Sequence, residues 1–369
     1  MTAFTVRLTR ALALTPRLDG AFSFALALLV ALGLAVLYSA TDGTMSMLYR
    51  QLVRIAIGVA VFLVFAQIPP SVLRRWTPPI YAACIGLLIG VALLGEGRGA
   101  QRWLDLGVVR FQPSELLKLT VPMMLAWYLH RVNLPPGFKD LAVCAVIIAI
   151  PAALIARQPD LGTALLVGAS GIFVLFLAGV RWKVIISLAA AGLACLPVLW
   201  HFMHDYQRGR VLTMLDPEAD PLGKGWNIIQ SKIAVGSGGL FGKGYQQGTQ
   251  SHLDFLPESS TDFILAVFAE EFGLIGVLIL FVLYGYIIIR GLALASAGRG
   301  GYERLLAGSL ILTFFVYVAV NAGMISGILP IVGIPLPLVS YGGTSIVSLM
   351  AGFGIIMSVF SHRRLLKRP

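Results

Sequence analysis

Charge is what this chain has least of. Of its 369 residues only 12% are Asp, Glu, Lys or Arg, whereas 58% are hydrophobic, and the mean hydropathy is +0.86. Soluble domains carry about 25% charged residues, so a water-facing globule is excluded. Cysteine is almost absent. Cys84, Cys144 and Cys195 all fall in apolar stretches without C-x-x-C spacing, which excludes a disulfide framework and a cysteine metal site and suits burial as small hydrophobes. The 17 acidic residues against 28 basic ones leave a formal net charge of +11. No basic patch interleaved with aromatics accompanies that excess, so nucleic acid is not the expected partner. Anionic membrane lipid is, since most of the basic residues fall beside apolar stretches.

What the chain has in abundance is apolar sequence long enough to cross a hydrocarbon core of about 30 Å. Ten such windows are read at 20–41, 50–68, 79–95, 113–130, 139–157, 160–179, 184–203, 262–290, 304–328 and 336–361. With so little sequence outside them, residues 1–369 are expected to form one all-α, polytopic integral membrane domain of about ten transmembrane helices. The first window is too long for a secretory signal and is expected to stay as an anchor. Lys and Arg set the orientation. With the N-terminus in the cytoplasm, the inner side collects Arg7, Arg10, Arg17, Arg74, Arg75, Arg131, Lys139, Arg181, Lys183, Arg290, Arg299, Arg304, Arg363, Arg364, Lys367 and Arg368. The short outer loops hold only Arg50, Arg98, Arg102, Arg110 and Arg157. Both termini are therefore expected in the cytoplasm. Trp103 and Trp200 fall near outer interfaces and Trp76, Trp127 and Trp182 near inner ones, as an aromatic belt would.

The largest interruption is the polar run 204–258 between the seventh and eighth windows, on the expected outer side. Within it, 226–235 reads as an amphipathic helix lying on the membrane. Gly236-Ser237-Gly238-Gly239 breaks that helix. The stretch through Gly242-Lys243-Gly244 resembles a phosphate loop but departs from the Walker pattern; its glycines, with Lys232 and Lys243, would still let backbone approach a pyrophosphate.

Polar residues inside or beside the windows are few. Glu115 and Lys118, three apart at the start of the fourth window, share a helix face; they either lock helices together or wall a substrate cavity. Gln112-Pro113-Ser114 before them suits a helix start. Asp160 opens the sixth window, either as a cap on free amides or as part of an outward-facing cleft. Asp262 stands at the mouth of the eighth window, where it too either caps the helix or supplies a carboxylate at headgroup depth. Glu270 and Glu271 lie deeper on the same helix and must pair or line water.

At this point the sequence resembles a known family. Residues 321–345, NAGMISGILPIVGIPLPLVSYGGTS, look like the signature of the SEDS proteins (shape, elongation, division and sporulation). AQRWLDLG (100–107), FQPSELLKL (111–119), RQPDLGTA (157–164), HDYQRGRV (204–211), IIQSKIAVGSGGLFGKG (228–244) and TDFILAVFAEEFG (261–273) fit as well. GTQSHLDFLPESSTDF (248–263) is more similar to the elongation branch, RodA, than to the division branch, FtsW. The resemblance implies a peptidoglycan glycosyltransferase acting in cell elongation and cell shape at the bacterial cytoplasmic (inner) membrane. It would polymerise lipid II at the outer face, invert the anomeric carbon and release undecaprenyl pyrophosphate. A class B penicillin-binding protein would be its transpeptidase partner, alongside other membrane proteins of the elongation complex. Asp262, in the TDF motif, matches the family's essential acid and would be the general base. Glu115, Lys118 and Asp160 would line the substrate cavity. The departing pyrophosphate needs positive charge, from a divalent cation (Mg or Mn) or from Arg102, Lys118, Arg208, Arg210 and Lys232. Two other classes stay open: a lipid II flippase, and a non-enzymatic scaffold for a transpeptidase.

Overall fold

The computed structural model describes residues 18–94, 104–105, 110–158, 160–194, 200–201, 205–221, 223, 225–253 and 255–362. Its helices are α1 (Gly20–Ala40), α2 (Met45–Gln67), α3 (Pro70–Leu94), α4 (Pro113–Leu129), α5 (Phe138–Arg157), α6 (Leu161–Leu177), α7 (Trp182–Ala194), α8 (Asp205–Leu215), α9 (Trp226–Ser237), α10 (Ile264–Ser296), α11 (Gly301–Ile325) and α12 (Thr344–Ser361). A two-residue antiparallel pairing of Leu104–Asp105 with Arg110–Phe111 leads into α4. Every one of the ten apolar windows holds a helix. By length and composition α1, α2, α5, α10, α11 and α12 can each cross a membrane.

The bundle is ordered by which helices bury all round. α11 packs on α10, α6, α4 and α12, and α4 packs on α3 and α6. α2 lies along α12, and α1 along α10. The outer helices turn large apolar side chains outward, including Phe24, Ile57, Val282 and Ile289. Such a surface would aggregate in water, and in lipid it is an ordinary hydrocarbon contact. Cys84 and Cys144 are buried thiols; Cys195 and Trp103 lie outside the described residues.

Helix boundaries depart from the expected windows in several places. α3 starts at Pro70, where a missing N–H costs nothing, so Arg74, Arg75 and Trp76 lie on the helix and not in a loop. α7 ends at Ala194, and residues 195–199 are outside the described set. α12 starts at Thr344, eight residues later than the expected 336. Pro335 and Pro337 bar a helix there, and 326–343 run as irregular backbone. α10 starts at Ile264 with Phe263 as its N-cap residue and no side-chain cap, so Asp262 precedes the helix and does not cap it.

The decisive departure is a break inside α10. Gly273 adopts φ 66° and ψ −168°, a combination essentially confined to glycine, about nine residues and roughly 14 Å along the helix. A break at that depth frees backbone groups that lipid cannot bind. The 239–244 loop takes them up. Leu274 N donates to Gly239 O at 2.9 Å and Ile275 N to Leu240 O at 3.1 Å, while Lys243 N and Gly244 N donate to Glu270 O and Glu271 O at 3.0 Å each. Backbone lies on backbone, so glycine is obligatory: a Cβ on Gly242 would stand 2.1 Å from Glu271 O, and one on Gly238 2.1 Å from Ala269 O.

The 236–244 glycines, expected to let backbone approach a pyrophosphate, have another use. The glycines serve helix docking, and Lys243 is committed to Glu270 at 2.6 Å. The Glu270 carboxylate also accepts from Thr249 N and Thr249 Oγ1 at 2.9 Å and from Gln250 N at 3.2 Å. Glu271 accepts from the Ser39 hydroxyl on α1. α9 forms as expected, with Ile228, Gln230, Ser231 and Ala234 buried against α10 and α11.

Gly273→Ala should therefore lower stability by on the order of 3 kcal/mol, from backbone strain and from collision with Gly242 N, 2.3 Å from the added Cβ. Gly285→Ala, on the same helix with nothing within 4 Å of a Cβ, should be neutral or stabilising by about 0.5–1 kcal/mol. Thermal unfolding of both in detergent checks this; equal melting temperatures would contradict it.

Candidate functional site

The helix N-termini of α4, α6 and α12 meet at one end of the bundle, beneath the segment that follows α11. Between them is a cavity of ≈ 300 Å³. Its wall includes Gln112, Glu115 and Lys118 from the start of α4, Asp160 and Thr163 from the start of α6, and Thr344 and Ser345 from the start of α12. Arg210 on α8, Tyr317 on α11 and the irregular stretch Val332–Pro335 complete it.

Sequence explains why α4 presents a charged pair. Pro113 at the first helical position sets the start, Glu115 in the first turn complements the helix dipole, and Lys118 three residues on shares its face. Lys118 Nζ reaches Glu115 Oε1 at 2.6 Å, and both side chains are 7% exposed. Ser348 on α12 donates to Glu115 Oε2 at 2.8 Å, and Lys118 Nζ sits 5.1 Å from the centre of the Tyr317 ring. The pair thus joins α4, α11 and α12 and lines the cavity.

Asp160 caps α6 and lines the cavity. Oδ1 accepts from Thr163 N at 3.1 Å as the α6 N-cap, and Oδ2 accepts from Gln112 Nε2 at 2.9 Å, which fastens the α6 start to the α4 start. Neither Gln112 nor Gly343, the N-cap residues of α4 and α12, makes a side-chain cap. Helix N-termini of this kind favour anions through their amides and dipoles.

Asp262 stands at the rim. A Cβ on the wall residue Gly333 would lie 3.5 Å from Asp262 Oδ2. Three successive carbonyls hold the segment there: Tyr341 N donates to Ser260 O at 2.8 Å, Ser340 Oγ to Thr261 O at 2.5 Å and Asn321 Nδ2 to Asp262 O at 2.9 Å. Burial pushes the Asp262 carboxyl up to about 6, Glu258 adds to the rise and Arg210 opposes it. A carboxyl near 6 is poised to exchange a proton at neutral pH.

The expected basic residues divide. Lys118 and Arg210 line the cavity. Arg208 does not: its guanidinium donates to Trp200 O at 2.9 Å and His201 O at 2.7 Å, fastening α8 to the chain before it. Lys232 does not either; it is exposed on α9, folded over Gly327. Arg102 lies outside the described residues. Among the described residues no three of His, Cys, Asp and Glu converge, and Glu115 and Asp160 already carry protein donors. The described residues therefore do not make a ligand set for Mg or Mn.

Gln112 was legible only as part of a helix start and Asn321 only as the first residue of the 321–345 signature, and the uncharged Tyr317 and Ser348 did not stand out. A polar side chain in an apolar helix was the available signal.

The model of the FtsW/RodA/SpoVE cell cycle proteins matches residues 20–365. This chain belongs to that family. It is 54% identical over 345 residues to the peptidoglycan glycosyltransferase MrdB of Escherichia coli K12, covering 93% of each chain. It is 38% identical to MrdB of Helicobacter pylori, covering 85% of this chain and 83% of that relative. Among solved structures, a chain from a peptidoglycan synthase complex that coordinates polymerization and crosslinking superposes with a TM-score of 0.82 at 33% identity, covering 95% of this chain and 99% of its own. The rod shape determining protein RodA of Thermus thermophilus superposes at 0.71 with 30% identity, covering 94% and 98%. The protein is a multi-pass membrane protein of the kind the signature at 321–345 suggested.

The buried pair generates a stability prediction. Lys118→Met leaves Glu115 buried without its cation and should cost on the order of 3 kcal/mol. Lys118→Met with Glu115→Leu should regain at least half of that loss. Melting temperatures in detergent decide; a single variant as stable as the parent would contradict the pairing.

Proposed function

We propose that this protein is a peptidoglycan glycosyltransferase of the elongation branch, polymerising lipid II at the outer face of the bacterial cytoplasmic membrane, with Asp262 as general base. One observation carries the reading: a half-buried carboxyl, titrating near neutrality, abuts the wall of a cavity lined by Lys118, Arg210 and three helix N-termini. The names of the relatives support the reaction class, and the solved synthase complex supports a crosslinking partner, which we take to be a class B penicillin-binding protein.

In this mechanism Asp262 removes the proton from the 4-hydroxyl of the acceptor GlcNAc. That oxygen forms a bond to C1 of the donor MurNAc as the C1–O bond to undecaprenyl pyrophosphate breaks on the opposite side, inverting C1. The proton stays on Asp262 until it passes to water. Arg210 and the amides of α4 and α12 bear the negative charge gathering on the pyrophosphate. Lys118 contributes less net charge, because Glu115 offsets it. A transporter would gather its polar groups near the bilayer midplane, whereas here they collect at one end of the bundle, which favours the transferase.

Asp262→Asn keeps the size and loses the base. With purified lipid II and the transpeptidase partner, polymerisation should fall by about 10²-fold or more. The same variant should melt higher at pH 7.5. A carboxyl whose folded pKa is raised contributes full stability below its unfolded value, near 3.8, and loses it as pH rises through about 6. Removing that carboxyl removes a penalty on the order of 1–3 kcal/mol. A folded variant polymerising at the parental rate would sink the assignment and favour the scaffold reading.

The orientation has its own test. A cysteine at Gln246 should label from outside intact cells with a membrane-impermeant maleimide, and one at Ser296 should not. The reverse pattern would remove Asp262 from the outer face.

A further inference from the structure

Asn321 is a fully buried amide on α11. Its Nδ2 donates both to Asp262 O at 2.9 Å and to Ile334 O at 2.8 Å. Both partners are carbonyl oxygens, so the nitrogen must be the atom facing them and the orientation of the amide is settled by its neighbours. Oδ1 meets no hydrogen-bond partner among the described residues. A buried acceptor left unsatisfied is costly, and a native fold that keeps one needs a reason.

The reason is in what the two bonds connect. Asp262 precedes α10, so no helical hydrogen-bond ladder fixes its backbone. Ile334 belongs to the cavity wall, next to Gly333, the residue against which the Asp262 carboxyl rests. Ser340 and Tyr341 hold the carbonyls of Thr261 and Ser260, but neither bond ties Asp262 to the 332–335 wall. Asn321 alone among these donors reaches both.

We propose that Asn321 is a positioning residue, whose amide nitrogen staples the backbone of Asp262 to the cavity wall and keeps the carboxyl at a fixed distance from the acceptor hydroxyl. The inference rests on Asp262 being the general base. Proton abstraction needs a heavy-atom separation of about 2.6–3.2 Å, and a displacement of about 1 Å can cost on the order of 10²-fold. The charged groups facing Asp262 are Glu258 and Arg210. Asn321 carries no charge, so its loss acts through position.

The test is a double-mutant cycle in the lipid II assay with the transpeptidase partner: parent, Asn321→Ala, Asp262→Asn and both together. Asn321→Ala should lower kcat about 10- to 100-fold with KM for lipid II within about twofold. In the Asp262→Asn background the same change should cost less than about twofold, as residues acting as a unit are not additive. Losses that multiply, or a loss confined to KM, would overturn the proposal.

A second readout does not depend on the chemistry. If the staple holds the Asp262 carboxyl in its half-buried place, the gain in melting temperature from Asp262→Asn at pH 7.5 should shrink in the Asn321→Ala background. An equal gain in both backgrounds overturns the staple even where Asp262 proves not to be the base. A failed Asp262→Asn activity test beside a shrunken gain would reject the base and retain the staple. If Asn321→Ala does not fold, Asn321→Ser carries the same two comparisons.

Discussion

In hydrocarbon a broken helix exposes amides and carbonyls that no water can satisfy, and α10 breaks at Gly273. The polar segment that leads to Asp262 depends on how that break is sealed. The 239–244 loop supplies two acceptors and two donors to the freed groups, and three glycines allow the contact. The loop is thereby fixed to α10, and Glu270 extends the hold to Lys243, Thr249 and Gln250. A long polar segment that would otherwise lie loosely over the bundle gains a fixed base. Its far end, Ser260 to Asp262, is then fastened by three carbonyl bonds to α11 and the segment after it.

The cavity follows from the same economy. Helices α4, α6 and α12 all start at this end, and their N-termini converge where the chain is irregular. Charge inside is balanced with care: Glu115 neutralises Lys118, and Asp160 is spent on Gln112 and the α6 amides. Arg210 also lines the cavity, beside the amides at the starts of α4 and α12, and helix N-termini of this kind favour anions. Partial burial raises the Asp262 carboxyl to about 6, which leaves it ionised at neutral pH yet a stronger base than a free carboxylate.

Much of this was legible in the chain. Hydropathy located a helix in all ten windows because lipid demands long apolar runs. The i, i+3 spacing gave the Glu115–Lys118 pair, and the polar 204–258 run marked the end of the bundle where the cavity lies. Other features left no local signal. The break at Gly273 depends on backbone pairing with residues about 30 positions earlier, which no periodicity reports, so the glycine run was legible only as a helix breaker and a backbone approach to a pyrophosphate. Arg208 and Lys232 show that positive charge in sequence does not tell where a long side chain ends. Asn321 was legible only as part of the 321–345 signature because it carries no charge. The start of α12 was misplaced because apolar residues continue through Pro335 and Pro337, and hydropathy does not register what proline forbids.

If Asp262 is the base, a carboxyl raised by burial to about 6 removes the acceptor proton. The pH dependence of kcat/KM for lipid II polymerisation, measured on the complex with its partner between pH 5 and 8.5, tests it directly, since that ratio reports groups of the free enzyme. With Asp262 as the base, the rate should rise with pH and level off above an inflection near 6. Arg210→Gln should move the inflection upward, because Arg210 opposes the rise in the Asp262 pKa. A rate flat across that range, or an inflection that moves downward on loss of Arg210, would contradict it.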